Sequence, residues 1–208
     1  PYGQRMAQLF RDTAQARGAE VQAVRSYPPK DHERWYDIVG QLVQGAPFKA
    51  VFLPGDWAHA EMLVPNFLYH ERKKTLVLGS ALWGQSLAKH NWVVERDFRW
   101  TVFPGPWWPD NPSAATQALK GRLEAENLGQ PDIWTALGYD FVRFASRMAV
   151  LPEGWTPEEV NRRLPEAQAM TWSMAPIAWD AQGLASQKLF WFRPVKGGFE
   201  LVEPQDLR

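Results

Sequence analysis

The sequence of 208 residues contains no cysteine. Disulfide frameworks, thiolate zinc sites and cysteine nucleophiles are therefore excluded, while the cellular compartment stays open because cysteine-free chains occur everywhere. Neither sign of charge is in excess: 23 Lys and Arg stand against 23 Asp and Glu. Without a basic or acidic field there is no electrostatic argument for nucleic acid or an anionic membrane as the principal partner. No apolar run approaches the roughly 20 residues of a membrane span. Neither G-x-x-x-x-G-K-[ST] nor G-x-G-x-x-G occurs, so a standard nucleotide-binding loop is absent and no cofactor is called for.

What the sequence does have is enough chain for one substantial core or two small ones, and twelve Trp. Without interleaved basic patches, these rings read as core or as apolar binding surface, not as a stacking platform for bases. The chain opens on Pro1, without Met or signal peptide, which leads us to expect a processed product or an excised piece of a longer chain, any export signal having been lost upstream.

Strand and helix patterns alternate through the first half. Met6, Leu9, Phe10 and Thr13 recur at helical spacing up to Gly18, and "AEVQAVRSY" alternates as a strand. Trp35, Ile38, Val39 and Leu42 mark a second helix with Asp31 as its cap, and "FKAVFLPG" is a short apolar run suited to a strand buried on both faces. A helix is expected from Trp57 to about Arg72, kinked or split by Pro65, then strands at "KTLVLGS" and "RWTVFPG". This order implies right-handed β-α-β units in an open, doubly wound, mostly parallel sheet.

After Pro112 the pattern is mainly helical. Trp134, Leu137, Phe141, Phe144, Ala145 and Met148 form the clearest apolar stripe, and Thr156-Pro157-Glu158-Glu159 has the residues of a helix start. "APIAWDAQG" reads as a strand entering a turn, and "KLFWFRPVKGGFELVEP" as a hairpin around Lys196-Gly197-Gly198.

Chemical motifs are few. Ser80 in "GSALWG" follows a strand, but the glycines are wrongly spaced for a nucleophile elbow, which leaves it a cap or a ligand hydrogen bond. The four histidines show no H-E-x-x-H, although "HAE" at 59–61 has the makings of a fragment of a metal site. Asp56, directly after Pro54-Gly55, has three open roles: helix cap, ligand contact, or catalytic acid or base. Capping needs only its position, whereas catalysis lacks a partner residue. Because ligands of open α/β sheets bind beyond the carboxyl ends of the strands, "PGDW", "GSALW" and "PGPWW" would converge on one edge. Trp57, Trp83, Trp107 and Trp108 would then either line an apolar cleft, with Asp56 and Ser80 as its polar groups, or pack beneath the loops.

Taken in order, "PYGQRMAQLFRDTAQARGAEV", "FKAVFLPGDWAHAEMLVPNFLYH", "KTLVLGSALW", "LGYDFVRFA" and "IAWDAQGLASQKLFWFRPVKGGF" resemble the later part of type I periplasmic binding proteins. These are solute-binding proteins of the branched-chain amino-acid type, and the penicillin-binding protein activators share the patterns. The resemblance implies the second lobe of a two-lobed fold with flavodoxin-like strand order over residues 1–130, and helices and strands returning across the lobes over 131–208. It implies that a strand and the whole first lobe lie upstream of Tyr2-Gly3. It also implies that helices from about Pro131 to Ala169, and a strand from Trp172 to Trp179, pack in the other lobe.

By the same resemblance Tyr2 is a cleft tyrosine, Gly55-Asp56 a ligand-facing loop, and Gly79-Ser80-Ala81 the loop that in amino-acid binders carries an acid for the ligand's ammonium group. Here that acid is replaced by Ala81, which leaves a zwitterionic ligand without its charge partner. The expected ligand site is therefore Tyr2, Gly55, Asp56, Trp57, Ser80, Ala81, Trp83 and Trp107, with no metal and no catalytic residue.

The resemblance implies a non-enzymatic extracytoplasmic binding module serving a membrane transporter for amino acids or related apolar or aromatic ligands. The alternative is a lipid-anchored regulator that contacts a cell-wall synthase. With the first lobe missing, an apolar face along Trp134, Phe141 and Met148 is expected to be exposed and to favour self-association.

Overall fold

The structure, a computed structural model, describes residues 2–45, 47–70, 75–88, 93–148 and 156–207. They divide into two compact units: residues 1–104 with 191–208, and residues 105–190. The boundary thus falls at Pro104, not at residue 130, because the carboxyl-terminal hairpin joins the sheet of the first unit while the helix after Ser113 packs with the helical second unit.

The first unit begins with α1 (Tyr2–Ala16), which ends where Gly18 takes a φ of 79° and Ala19 N–H donates back to the Ala14 carbonyl. Next are α2 (Glu33–Gly45), β1 (Ala50–Phe52), α3 (Trp57–His70), β2 (Leu76–Leu78), α4 (Leu82–Leu87), α5 (Glu95–Phe98) and β3 (Thr101–Gly105). Helix α3 runs through Pro65 as one helix, and the expected continuation to Arg72 lies outside the described residues. No side-chain cap from Asp31 is formed at α2; its carboxylate instead lies 3.9 Å from Arg34.

Strands β1, β2 and β3 are parallel, with Val51 opposite Val77 and Leu78 opposite Val102. The full sheet has the order β1-β2-β3-β6-β7, where β6 (Phe190–Val195) and β7 (Gly198–Leu201) form the antiparallel hairpin expected around Lys196-Gly197-Gly198. Gly197, at φ 84°, supplies the left-handed backbone of its turn. The fold class is therefore α/β with a mixed, mostly parallel open sheet. Its interior is aromatic: Trp57, Trp83, Phe98, Phe103 and Phe192 are all buried and in ring contact.

Two strand expectations fail in this unit. Residues 19–28 form no strand, since among the described residues 20–27 have no backbone hydrogen-bond partner. Strand β1 is not buried on both faces either: it lies at the end of the sheet, with Ala50 exposed and Val51 and Phe52 half-buried.

The second unit contains α6 (Ala114–Ala125), α7 (Ile133–Arg147), α8 (Pro157–Gln168), and the two-stranded pair β4 (Ile177–Trp179) and β5 (Ala185–Gln187). Each helix starts on a side-chain cap: Ser113 Oγ accepts from Thr116 N–H, Asp132 from Thr135 N–H, and Thr156 Oγ from Glu159 N–H. Pro157 stands at the first helical position, as its sequence context implies. Only Ile177–Trp179 of the 172–179 segment is a strand. Residues 173 and 174 are instead bound to α7 by the buried Asp140, whose carboxylate accepts from Ser173 N–H at 2.9 and 3.0 Å and from Met174 N–H at 3.0 Å.

Along α7, Trp134 (62% exposed), Leu137 and Phe141 (66%) of the stripe face solvent, as does Val142 outside it. Met148 does not. It is fully buried against Leu164 and Ala167 of α8.

Candidate functional site

The parallel register of β1 and β2 brings the loops after them, 53–56 and 79–81, to the same edge of the first unit. Asp56 is there as a cap: its Oδ1 accepts the His59 N–H at 3.1 Å, satisfying a donor of the first turn of α3. The same oxygen lies 3.4 Å from His59 Nδ1, and the carboxylate is 54% exposed. Of the three roles open to this acid, capping is observed, and contact with a ligand remains geometrically free.

Gly55 is the pin between the loops. Its carbonyl accepts both the Ser80 hydroxyl, at 3.1 Å, and the Trp83 indole N–H, at 3.0 Å. A Cβ on Gly55 would lie 2.9 Å from the Tyr27 hydroxyl oxygen, so a side chain here would displace its neighbour. Gly79 is constrained more tightly, because a Cβ there would lie 2.5 Å from the Trp83 ring. The chain thus passes from the sheet into both helices through glycines that admit a tryptophan and a tyrosine against the backbone.

This geometry corrects the picture of a tryptophan-lined cleft. Trp57 and Trp83 have no exposed surface; they meet edge-on, with centroids 5.7 Å apart, as the core beneath the loops. Ser80 is buried too, its hydroxyl spent on Gly55. Trp107 belongs to the second unit, buried with Leu119, Ala136 and Met174, and Trp108 packs on Phe190. The reason is common to the three buried rings, Trp57, Trp83 and Trp107: each apolar body is larger than a short loop can hold at the surface, and burial is worth more than exposure. Of the expected residues, only Asp56 and Ala81 in these two loops are exposed, together with Tyr2 (47%) at the start of α1.

Of two further groups at this edge, Tyr27 escaped the sequence reading of the site and His59 entered it only within a fragment of a metal site. Tyr27 is half-buried, edge-on to the rings of Trp35 and His59, with its hydroxyl against Gly55. Burial, and secondarily the negative charge of Asp56, raise its phenol above the ordinary tyrosine value, so it remains a neutral donor. His59 is partly exposed between Asp56 and Trp35. Tyr27 had a usable signal, since it closes an alternating segment as Asp56 follows a strand. Its contact with Gly55 had none, because the two are distant in sequence. Among the described residues no group of three His, Asp or Glu gathers as a metal site. The edge offers a rigid backbone, a carboxylate, an imidazole and a phenol.

No protein-family model matches the sequence, and no curated protein matches it. Solved structures do. One, assigned as a branched-chain amino acid ABC transporter protein from Rhodospirillum rubrum, matches with a TM-score of 0.70 at 17% identity, over 94% of this chain and 56% of its own. The branched-chain amino acid substrate-binding protein LivJ from Streptococcus pneumoniae, in complex with isoleucine, matches with a TM-score of 0.61 at 17% identity, over 98% of this chain and 57% of its own. A solute-binding protein from R. palustris in complex with benzoate gives a TM-score of 0.61 at 14% identity, over 96% of this chain and 54% of its own. The chain thus has the fold of the type I periplasmic binding proteins, over little more than half the length of those it matches.

Proposed function

We propose that the chain is the ligand-edge lobe of an extracytoplasmic, non-enzymatic binding protein that delivers a small molecule to an ABC transporter. The observation that carries this reading is the pair of strand-end loops locked together through the Gly55 carbonyl, at the position where open α/β sheets bind ligands, in a chain whose neighbours are substrate-binding proteins. A preorganised backbone costs little further ordering when a ligand arrives, which favours affinity. Tyr2, Tyr27, Asp56, His59 and Ala81 are the contacts we assign; Trp57, Trp83 and Ser80 support them from below. Ala81 brings no charge to the second loop, so the carboxylate of Asp56 is the single acid of these two loops available to an ammonium group. No observation favours the cell-wall regulator.

Thermal-shift and calorimetric titration of the native-length protein against leucine, isoleucine and benzoate test the reading. A ligand at one hundred times its Kd stabilises by about 2.7 kcal/mol, a shift of several degrees. Absence of a shift with all three, and with a wider panel of amino acids and aromatic acids, would remove the proposal.

A further inference from the structure

A small polar cavity lies in the first unit at the amino ends of β2 and β3, away from the loops that carry the proposed ligand contacts. The two strands are parallel, with Thr101 at the start of β3 opposite Val77, and Thr75 stands two residues before Val77. Side chains two apart on a strand share a face, so Thr75, Val77 and Thr101 lie together. Helix α3 covers them with Val64, Phe67 and Leu68, and with Asp97 of α5 they surround a cavity of about 10 Å³. Thr101 is 1% exposed, and its hydroxyl has no hydrogen-bond partner among the described residues. The hydroxyl of the buried Thr75 has none there either. Asp97 accepts from Arg96 Nε at 3.1 Å through one carboxylate oxygen. Its other oxygen has no partner among the described residues, although the side chain is only 18% exposed.

We infer that this cavity binds one ordered water, which bridges Thr101 and Thr75 to Asp97 and so ties two neighbouring strands to α5. Size and chemistry both specify the occupant. A single water needs about 10–15 Å³ of such space and two to four polar partners, and three oxygen groups stand here. The water donates one hydrogen to the Asp97 carboxylate, while each threonine hydroxyl is able to donate or accept and completes the set. A bare cation takes about six oxygens, twice what the site supplies, and Val64, Phe67, Leu68 and Val77 close the remaining walls with hydrocarbon. Without a bridge, the Thr101 hydroxyl would bear its full desolvation cost unreturned. Strand β2 carries the 79–81 loop at its other end, so the water anchors the strand on which that loop is mounted.

Thr101→Val tests the inference, because it keeps the shape of the side chain and removes only the hydroxyl. With the water in place, the variant leaves a buried water short of a partner, and the thermal unfolding midpoint falls by about 3 °C. Asp97→Ala lowers it too, and the double variant falls by less than the sum of the two, since both changes act on one water. A dry cavity gives the opposite sign: Thr101→Val then removes an unpaired hydroxyl, and a midpoint that holds or rises overturns the inference. Strictly additive losses overturn it as well. A crystal structure of the unmodified protein reads the occupant directly. The expected result is a single peak about 2.8 Å from both Thr101 Oγ1 and an Asp97 carboxylate oxygen. No peak there, or a peak ringed by five or more oxygens at about 2.4 Å, which marks a cation, overturns it.

Discussion

At the scale of residues, the two glycines of the strand-end loops carry different loads, which a pair of substitutions can read. Gly79→Ala drives a Cβ to 2.5 Å from a buried indole that cannot withdraw, and we expect a loss of about 3 kcal/mol in urea unfolding. Gly55→Ala meets the end of the Tyr27 side chain, so its cost is about 1 kcal/mol and Tyr27→Phe recovers most of it in a double-mutant cycle. Asp56 is a cap before it is anything else. Asp56→Ala should cost about 1 kcal/mol and Asp56→Asn clearly less, since the amide oxygen still accepts from His59 N–H. If Asp56 also contacts ligand, Asp56→Asn lowers affinity in calorimetry without that loss of stability. Its side chain was legible as a cap from position alone, whereas the Ser80 and Trp83 bonds to Gly55 were not, because nothing in a sequence links residues 25 and 28 apart.

Among elements, the helices were the most legible and the strands the least. A cap, a proline at the first turn and an apolar stripe are local signals, so α8 begins at the Thr156-Pro157 start read from the sequence and α7 carries its stripe, while the caps Ser113 and Asp132 were not read there. A strand exists only with a partner. "AEVQAVRSY" alternates correctly yet forms no ladder, and "FKAVFLPG" has the composition of a central strand yet ends the sheet. The 172–179 segment shows the converse: Asp140, hidden in the middle of the α7 stripe, takes the backbone of Ser173 and Met174 away from any ladder. Asp140→Ala would leave those two N–H groups buried and unpaired. We expect a loss of at least about 2 kcal/mol, with α7 and the 171–175 segment exchanging amides earlier than the rest of the second unit.

For the molecule as a whole, stability should fall at both ends of the pH scale for identifiable reasons. Tyr27 has its phenol raised above the ordinary value of 10.0, so the folded state holds the proton longer than the unfolded chain does. Its contribution is complete below pH 10 and is lost as pH rises through the folded value; Tyr27→Phe should flatten that alkaline limb in pH-dependent urea titrations. Asp132 is lowered, chiefly by the Thr135 hydroxyl and then by its backbone N–H, so its contribution is present above the unfolded carboxylate value and lost as pH falls through the folded one. The exposed setting makes this acid limb shallow, and Asp132→Asn should remove it.

By itself the sequence determined the class of fold and that the loops at Gly55-Asp56 and Gly79-Ser80 follow strands of one sheet, because alternation of strand and helix patterns and the punctuation by Pro-Gly and Gly-Ser are local properties. Having no cysteine, these 208 residues also exclude disulfides and thiolate ligands of their own. Only the tertiary structure decided which tryptophans are core, which of the apparent strands are paired, where the two units divide, and that Tyr27 and His59 stand beside Asp56. Those outcomes depend on contacts between residues far apart in the chain, and burial and pairing are properties of both partners, which neither segment encodes alone.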